Sequence, residues 1–532
     1  MAPHPPDPLG LLLVAMSATV VVTPALSLLV LWHHRRAVGR SVHSRARRLP
    51  VAAPPVPVGA PAGTYHRVRP APVVRLDAAH RPAGGGPPDD LWRRARRRLH
   101  ATVTAYVVAG LACGLVDGAV WLTAGRVEIG PRNLLGLMVL FAWPLVPTVL
   151  SVLAASRSTR VQVWVGYGVL VPLSTIGTGI TPSVTVVLIG VVVVPPALAL
   201  LTLSGPAFHA VGPFLATPVL LTATGLFLYP STAQWAVWFG ASAEVGTFLA
   251  VLATALIGLA GAGHLVRSAR QYARKRAGDQ TVTISQWWLF ATAWHCVVLV
   301  PSGVRAALAV WTAHLVFRLV LAAAMRLRPR PVDPPHRLLL LRTPGARRYG
   351  GTLLNRLGAY WSHVGTISTI ATTDVAYAAL EPREFLDLLR GRPARPVIEN
   401  AGELRKRVVE IDQDPDPDGG YRVNQLFCHD DLWREALQEL VRRSDCILVD
   451  LRGFTRAHER VAADITQLTQ LAPLSRILVL VDDDTDQYFL RTTVDRAHTG
   501  AGGSLRLMRS RGRHLDTVTV VEQLAAGSAR TA

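Results

Sequence analysis

Ionisable residues set inside apolar stretches are the first candidates for chemistry in this chain. Asp117, Glu244, His295, His314 and Arg318 interrupt long apolar runs, and Arg305 stands close to the end of one. A charge is expensive in hydrocarbon, so such residues pair, face water or carry function. Asp117, Glu244, His295 and Arg305 are expected at a similar level in the outer half of a bilayer. Two readings stand: an acid–base cluster lining a pathway, or pairs and small wet cavities that serve helix packing.

A second group of candidates lies nearer the C-terminus. The segment "GARRYGGT", 345–352, follows the apolar run "RLLLLRT" and precedes a helical pattern. A nucleoside-triphosphate loop of the GxxxxGK[ST] type needs a lysine that reaches the β- and γ-phosphates. Gly351 occupies that position, which argues against an NTPase even though Asp450 ends an apolar strand as a magnesium-holding acid would. A weaker reading remains, in which Gly345, Gly350, Gly351 and a helix N-terminus, with Arg342, Arg347, Arg348 and Asp450, hold an anion or a nucleotide phosphate. The alternative is a plain strand-to-helix turn with solvated arginines. "LLRTPG" lacks the acidic pair of a phosphoacceptor domain, and this region has no GxSxG elbow for a serine nucleophile. Cys113, Cys296, Cys428 and Cys446 are scattered without CxxC spacing, so neither a disulfide framework nor a metal site is indicated.

The elements that must position these residues fall into two textures. Of 532 residues, 50% are apolar and 17% charged, with a mean hydropathy of +0.30. That mixture suits membrane spans joined to a folded polar domain. The net charge of +21 is carried almost wholly by arginine, Lys275 and Lys406 being the only lysines. The basic residues cluster beside apolar runs, as the positive-inside rule requires, and no nucleic-acid-binding motif accompanies them. Nucleic acid is therefore not an expected partner; the bilayer and its anionic headgroups are.

Hydropathy predicts about nine spans of roughly 20 residues each. The first covers 9–32, behind an uncharged stretch 1–8 and ahead of "HHRRAVGRSVHSRARR", which places the N-terminus outside. Residues 33–100 read as a basic, Pro- and Gly-rich cytoplasmic linker closing on "LWRRARRRLH", either a lipid contact or a topology determinant. A bundle over 101–325 follows, with spans near 101–123, 133–155, 161–179, 182–204, 207–228 and 235–264, and a helical hairpin over 285–325 turning at "PSG". A linker over 326–335 leads to a cytoplasmic domain over 336–525 and a disordered tail over 526–532.

That domain alternates short apolar runs with helical patterns. "CILVDL" and "RILVLVD" are apolar throughout, as strands covered on both faces are. A doubly wound, mainly parallel α/β sheet of flavodoxin-like type is predicted, with Asp450 and Asp482 at the carboxyl edge where such sheets bind ligands. "PREFLDLLRG" is expected to be one of its helices.

The order of elements over 337–482, with "WREALQELVRRSDCILVDL" leading to a helix that carries an acid, resembles the TIR-like superfamily, including its SEFIR relatives. The resemblance covers about a quarter of the chain. It implies a membrane-anchored signalling or sensor protein whose domain binds a nucleotide such as NAD, binds a protein partner or associates with itself. It also implies an alternative, an effector that cleaves NAD or a related nucleotide with a carboxylate on that helix. Asp464 stands at roughly the place of the family's catalytic glutamate and Glu459 lies a turn earlier, while Asp450 replaces the usual serine and "WCxxE" is missing. A transporter or channel gated by the domain is a further reading.

Overall fold

A computed structural model describes residues 8–46, 75–78, 88–124, 130–153, 189–194, 211–238, 240–275, 278–329, 335–342, 360–371, 382–389, 400–416, 419–497, 504–510 and 517–529, with isolated positions between 162 and 197, at 353–358 and at 398. The chain divides into two compact units. Met1–Ala37, His100–Arg328 and Ala379–Ala394 form the first, and Val38–Leu99, Pro329–Ala378 and Arg395–Ala532 the second.

The first unit is helical: α1 (Pro8–Ser17), α2 (Thr23–Ala46), α3 (Pro88–Thr123), α4 (Pro131–Phe141), α5 (Leu145–Val152), α6 (Gly212–Trp238), α7 (Ala243–Ala273), α8 (Asp279–Leu299) and α9 (Val304–Arg326), with the ends of α2 and α3 lying in the second unit. Among the described residues, six helices are long and apolar enough to cross a membrane, or up to seven if the bent pair α4 and α5 is one span. This is a membrane protein. The spans expected near 161–179 and 182–204 lie largely outside the described residues, so the expected nine stand at six or seven here. The hairpin over 285–325 is present as α8 and α9, joined through a 3₁₀ turn at Val300–Ser302 and Gly303, whose φ of 113° suits glycine alone. With lipid on the outside, polar groups inside the unit must find each other. Trp288 Nε1 accordingly donates to Thr148 Oγ1 at 3.0 Å, and the Trp288 ring stacks on Phe317 at 4.3 Å.

The second unit holds a seven-stranded sheet: β1 (Arg75–Ala78), β2 (His336–Arg342), β3 (Gly365–Ala371), β4 (Val423–Phe427), β5 (Cys446–Asp450), β6 (Ile477–Val481) and β7 (Ser504–Arg509). Its order is β1-β7-β6-β5-β2-β3-β4, with every pair parallel. Parallel strands require crossovers, and these cover both faces. Leu339, Ile447, Val449 and Val479 pack with Leu404 and Val408 of α11 (Ala401–Val409), with α12 (Trp433–Arg443), α13 (Glu459–Leu471) and α14 (Gln487–Ala497). Their neighbours Leu338, Leu340, Leu448 and Leu478 face the other way, onto Leu357, Trp361, Ala95 and Val521 of α15 (Thr517–Ala529). A continuous apolar strand feeds both layers, which is why "CILVDL" shows no alternation.

Four segments differ from their expected places. Residues 75–78, within the expected linker 33–100, form the edge strand β1 on β7. The basic run before the second span is partly internal: Ala95, Arg98 and Leu99 are buried, and Arg98 Nη1 donates to the His363 carbonyl at 3.1 Å. Helix α10 (Pro382–Leu389) belongs to the membrane unit rather than to the α/β domain. Its apolar face buries Phe385 and Leu386 against Phe214, Leu265, Ala269 and Tyr272, with the Phe385 and Phe214 rings 5.3 Å apart. An amphipathic helix of two turns fits a sheet face and a helix bundle equally well, so pattern alone does not distinguish them. α15 also extends to Ala529, into the expected tail.

Phe385→Ala removes a buried ring and should destabilise the membrane unit by about 3–5 kcal/mol. Detergent-solubilised full-length protein should show a lower thermal midpoint and faster proteolysis near 379–394. An unchanged midpoint would contradict this packing.

Candidate functional site

The carboxyl edge of the sheet is the first candidate. From β2 the chain runs outward to β3 and β4 on one side, and from β5 to β6 and β7 on the other, so β2 and β5 flank a topological switch point. Ligands of open parallel sheets bind in the crevice outside such a point. Arg342 ends β2 in register with Asp450, which ends β5. Arg342 is half-buried and Asp450 is fully buried.

The loop after β5 is built on two acids. Arg452 Nε and Nη2 each donate to an Asp450 carboxylate oxygen at 2.7 Å, in a pair that is 3% and 0% exposed. This planar, bidentate match is among the strongest side-chain interactions. Gly453 then turns with φ 74°, a conformation that glycine adopts without strain. Its N–H donates to Asp482 Oδ1 at 2.9 Å, and Thr485 Oγ1 lies 2.7 Å from the same oxygen. Phe454 closes the loop, stacked on Phe489 at 5.4 Å, while its carbonyl accepts from Asp486 N at 2.8 Å. Asp450 and Asp482 therefore hold the loop in shape, and Arg342 is a half-buried cation at the same edge.

Glu459 is exposed at the first position of α13, and Asp464 is partly buried five positions later. Residues five apart on a helix diverge by roughly 140°, so the two do not serve one site together. Gly345, Arg347, Arg348, Gly350 and Gly351 lie outside the described residues. Cys446 is fully buried in β5, and burial pushes its thiol well above the usual range, which disfavours a reactive thiolate. Among the described residues no group of three or more His, Cys, Asp or Glu side chains is placed to hold a metal ion.

The membrane unit contains the second candidate. Asp117 of α3 and His295 of α8 meet: His295 Nδ1 lies 2.9 Å from Asp117 Oδ2, and both side chains are buried. Trp143 Nε1 donates to His295 Nε2 at 3.2 Å, and Phe141 presents its ring at 75° to the imidazole. Glu244 is exposed in the first turn of α7, where the helix dipole favours an acid, behind the cap Ser242. Arg305 is exposed near the start of α9. The expected four-residue cluster is thus a pair, completed by a tryptophan that a search for ionisable residues does not find.

No protein family, curated protein or solved structure matches this chain.

Breaking the Asp450–Arg452 pair takes the guanidinium from a buried carboxylate. Arg452→Ala should cost about 3–5 kcal/mol, while the double change Asp450→Leu with Arg452→Met should recover most of it. Chemical denaturation of the full chain, followed through the α/β unit, measures both. Equal losses in the single and double variants would show that the pair does not organise the loop.

Proposed function

We propose that this chain is a membrane signalling or sensor protein whose α/β domain binds an anionic ligand of the nucleotide class at the switch point between β2 and β5. The observation that carries the reading is the carboxyl edge itself. There Arg342 stands beside a loop pre-shaped by the buried Asp450–Arg452 pair and by the Gly453 turn. A pre-organised loop beside a cation lowers the ordering cost of binding an anion.

Basic segments at the C-terminal ends of α2 and α7 and after α9 favour a cytoplasmic α/β domain with the N-terminus outside, in an inner membrane. At 379–394 the chain leaves the α/β domain, packs α10 into the membrane unit and returns to the α/β domain. The resemblance of 337–482 to TIR-like domains supports a nucleotide or a second copy of the domain as partner. Glu459, exposed at the helix that follows the loop, is the group best placed for the alternative in which the ligand is cleaved.

The test uses purified full-length protein with NAD, ATP and other nucleotides in a thermal-shift assay, with nicotinamide release followed in parallel. A nucleotide at 100 times its Kd should add about 2.7 kcal/mol of stability. That gain should be lost in Arg342→Ala. Release that depends on Glu459 would shift the reading to an enzyme, and no stabilisation by any nucleotide at millimolar concentration would overturn it.

A further inference from the structure

The hydrogen bonds around Asp117 determine where a proton can sit. An indole N–H only donates, so the bond from Trp143 Nε1 requires an unprotonated His295 Nε2. A neutral imidazole keeps one N–H, which must then be on Nδ1 and donates to Asp117 Oδ2 at 2.9 Å. Protonating the ring would set two N–H groups against each other at Trp143. The remaining position is Asp117 Oδ1, which is buried without a hydrogen-bond partner among the described residues.

A second feature converges on the same place. α4 and α5 form a span bent by 46°, and Trp143 lies at the bend. Pro144 has no N–H to continue the helix, and bonds of the i to i−3 type from Trp143, Leu145 and Val146 replace the regular ladder. α3 approaches this break closely, since a methyl group at Gly114 would press into the Met138 carbonyl. Broken helices at membrane depth are a recurrent setting for ion and proton sites.

We propose that Asp117 is a proton-binding site of the membrane unit, taking a proton on Oδ1 while His295 stays neutral, and that the α4–α5 bend is the element this proton biases. The carboxylate becomes a carboxylic acid and the site loses one negative charge. The His295 Nδ1–H then donates to a neutral oxygen, which weakens the link that runs through the imidazole to Trp143. Among the described residues, the titratable groups that act on Asp117 are His295 of α8 and Cys113, one turn earlier on α3; the α4–α5 bend contributes Trp143 and Phe141, which do not titrate. A proton fits this site better than a metal cation, because hard cations need several oxygen ligands and among the described residues one carboxylate oxygen is on offer. The inference is independent of ligand binding by the α/β domain.

The test is infrared spectroscopy of the full-length protein in lipid nanodiscs across pH, with nitrogen NMR of labelled histidines assigned through His295→Gln. As pH falls, a buried carboxylic-acid C=O band should grow, be absent in Asp117→Asn, and be indifferent to exchange of sodium for potassium. His295 should remain the neutral Nδ1–H tautomer. In Trp143→Phe the opposing donor is gone, and His295 should then become imidazolium at acidic pH. The proposal is overturned by a band that persists in Asp117→Asn, by a band that sodium suppresses, or by a wild-type His295 that charges. If Asp117→Asn fails to fold, the absence of imidazolium in Trp143→Phe overturns it instead.

Discussion

A carboxylate withdrawn from water must be matched by donors or give up its charge. Both units of this chain are arranged around one. In the α/β unit the match is complete: each carboxylate oxygen of Asp450 accepts from the Arg452 guanidinium, which is fixed two residues beyond the strand end. The loop between β5 and α13 follows from that fixed point, because Gly453 must turn sharply to bring its N–H to Asp482. In the membrane unit the match is half made. Asp117 receives one bond from a histidine whose orientation is set by a tryptophan, and its second oxygen has no partner among the described residues. A complete match makes a rigid loop, and a half match makes a group that responds to protons.

The sheet imposes the second constraint. Seven parallel strands need both faces covered, and the helices α11 to α15 provide two layers. The chain nevertheless interrupts this wrapping between β3 and β4 to place α10 in the membrane unit. A closed α/β domain needs no such excursion for its own stability.

Much of this architecture is legible in the residues, and the failures have identifiable causes. "CILVDL" and "RILVLV" announce buried parallel strands because neither face meets water, and both are strands here. The turn at "PSG" between α8 and α9 is readable because basic segments flank both ends of the hairpin. β1 is not readable: "RLDA" has no apolar pattern, and it joins the sheet at the edge by pairing with β7. The destination of α10 is also hidden, since Phe385 and Leu386 specify an apolar face but not its partner. Asp450 is recognisable from sequence as a strand-end acid, but its role depends on Arg452, whose pairing is a matter of geometry. Likewise Asp117 and His295 stand out as ionisable residues within apolar runs, whereas Trp143, which donates to His295, looks like any membrane tryptophan. Glu244 and Arg305 share an expected depth with that pair in the sequence, yet both side chains are exposed near the starts of α7 and α9.

Hydrogen exchange tests most directly whether a matched buried carboxylate organises the candidate ligand edge. Amide exchange in the full-length protein, followed by mass spectrometry, would be compared between the native chain and Arg452→Ala. Loss of protection at 451–458 together with 482–486, and little change in α11 and α12, is the predicted result. Protection that stays native across both segments would show that the loop holds its shape without the Asp450–Arg452 pair and would contradict the organising role assigned to it.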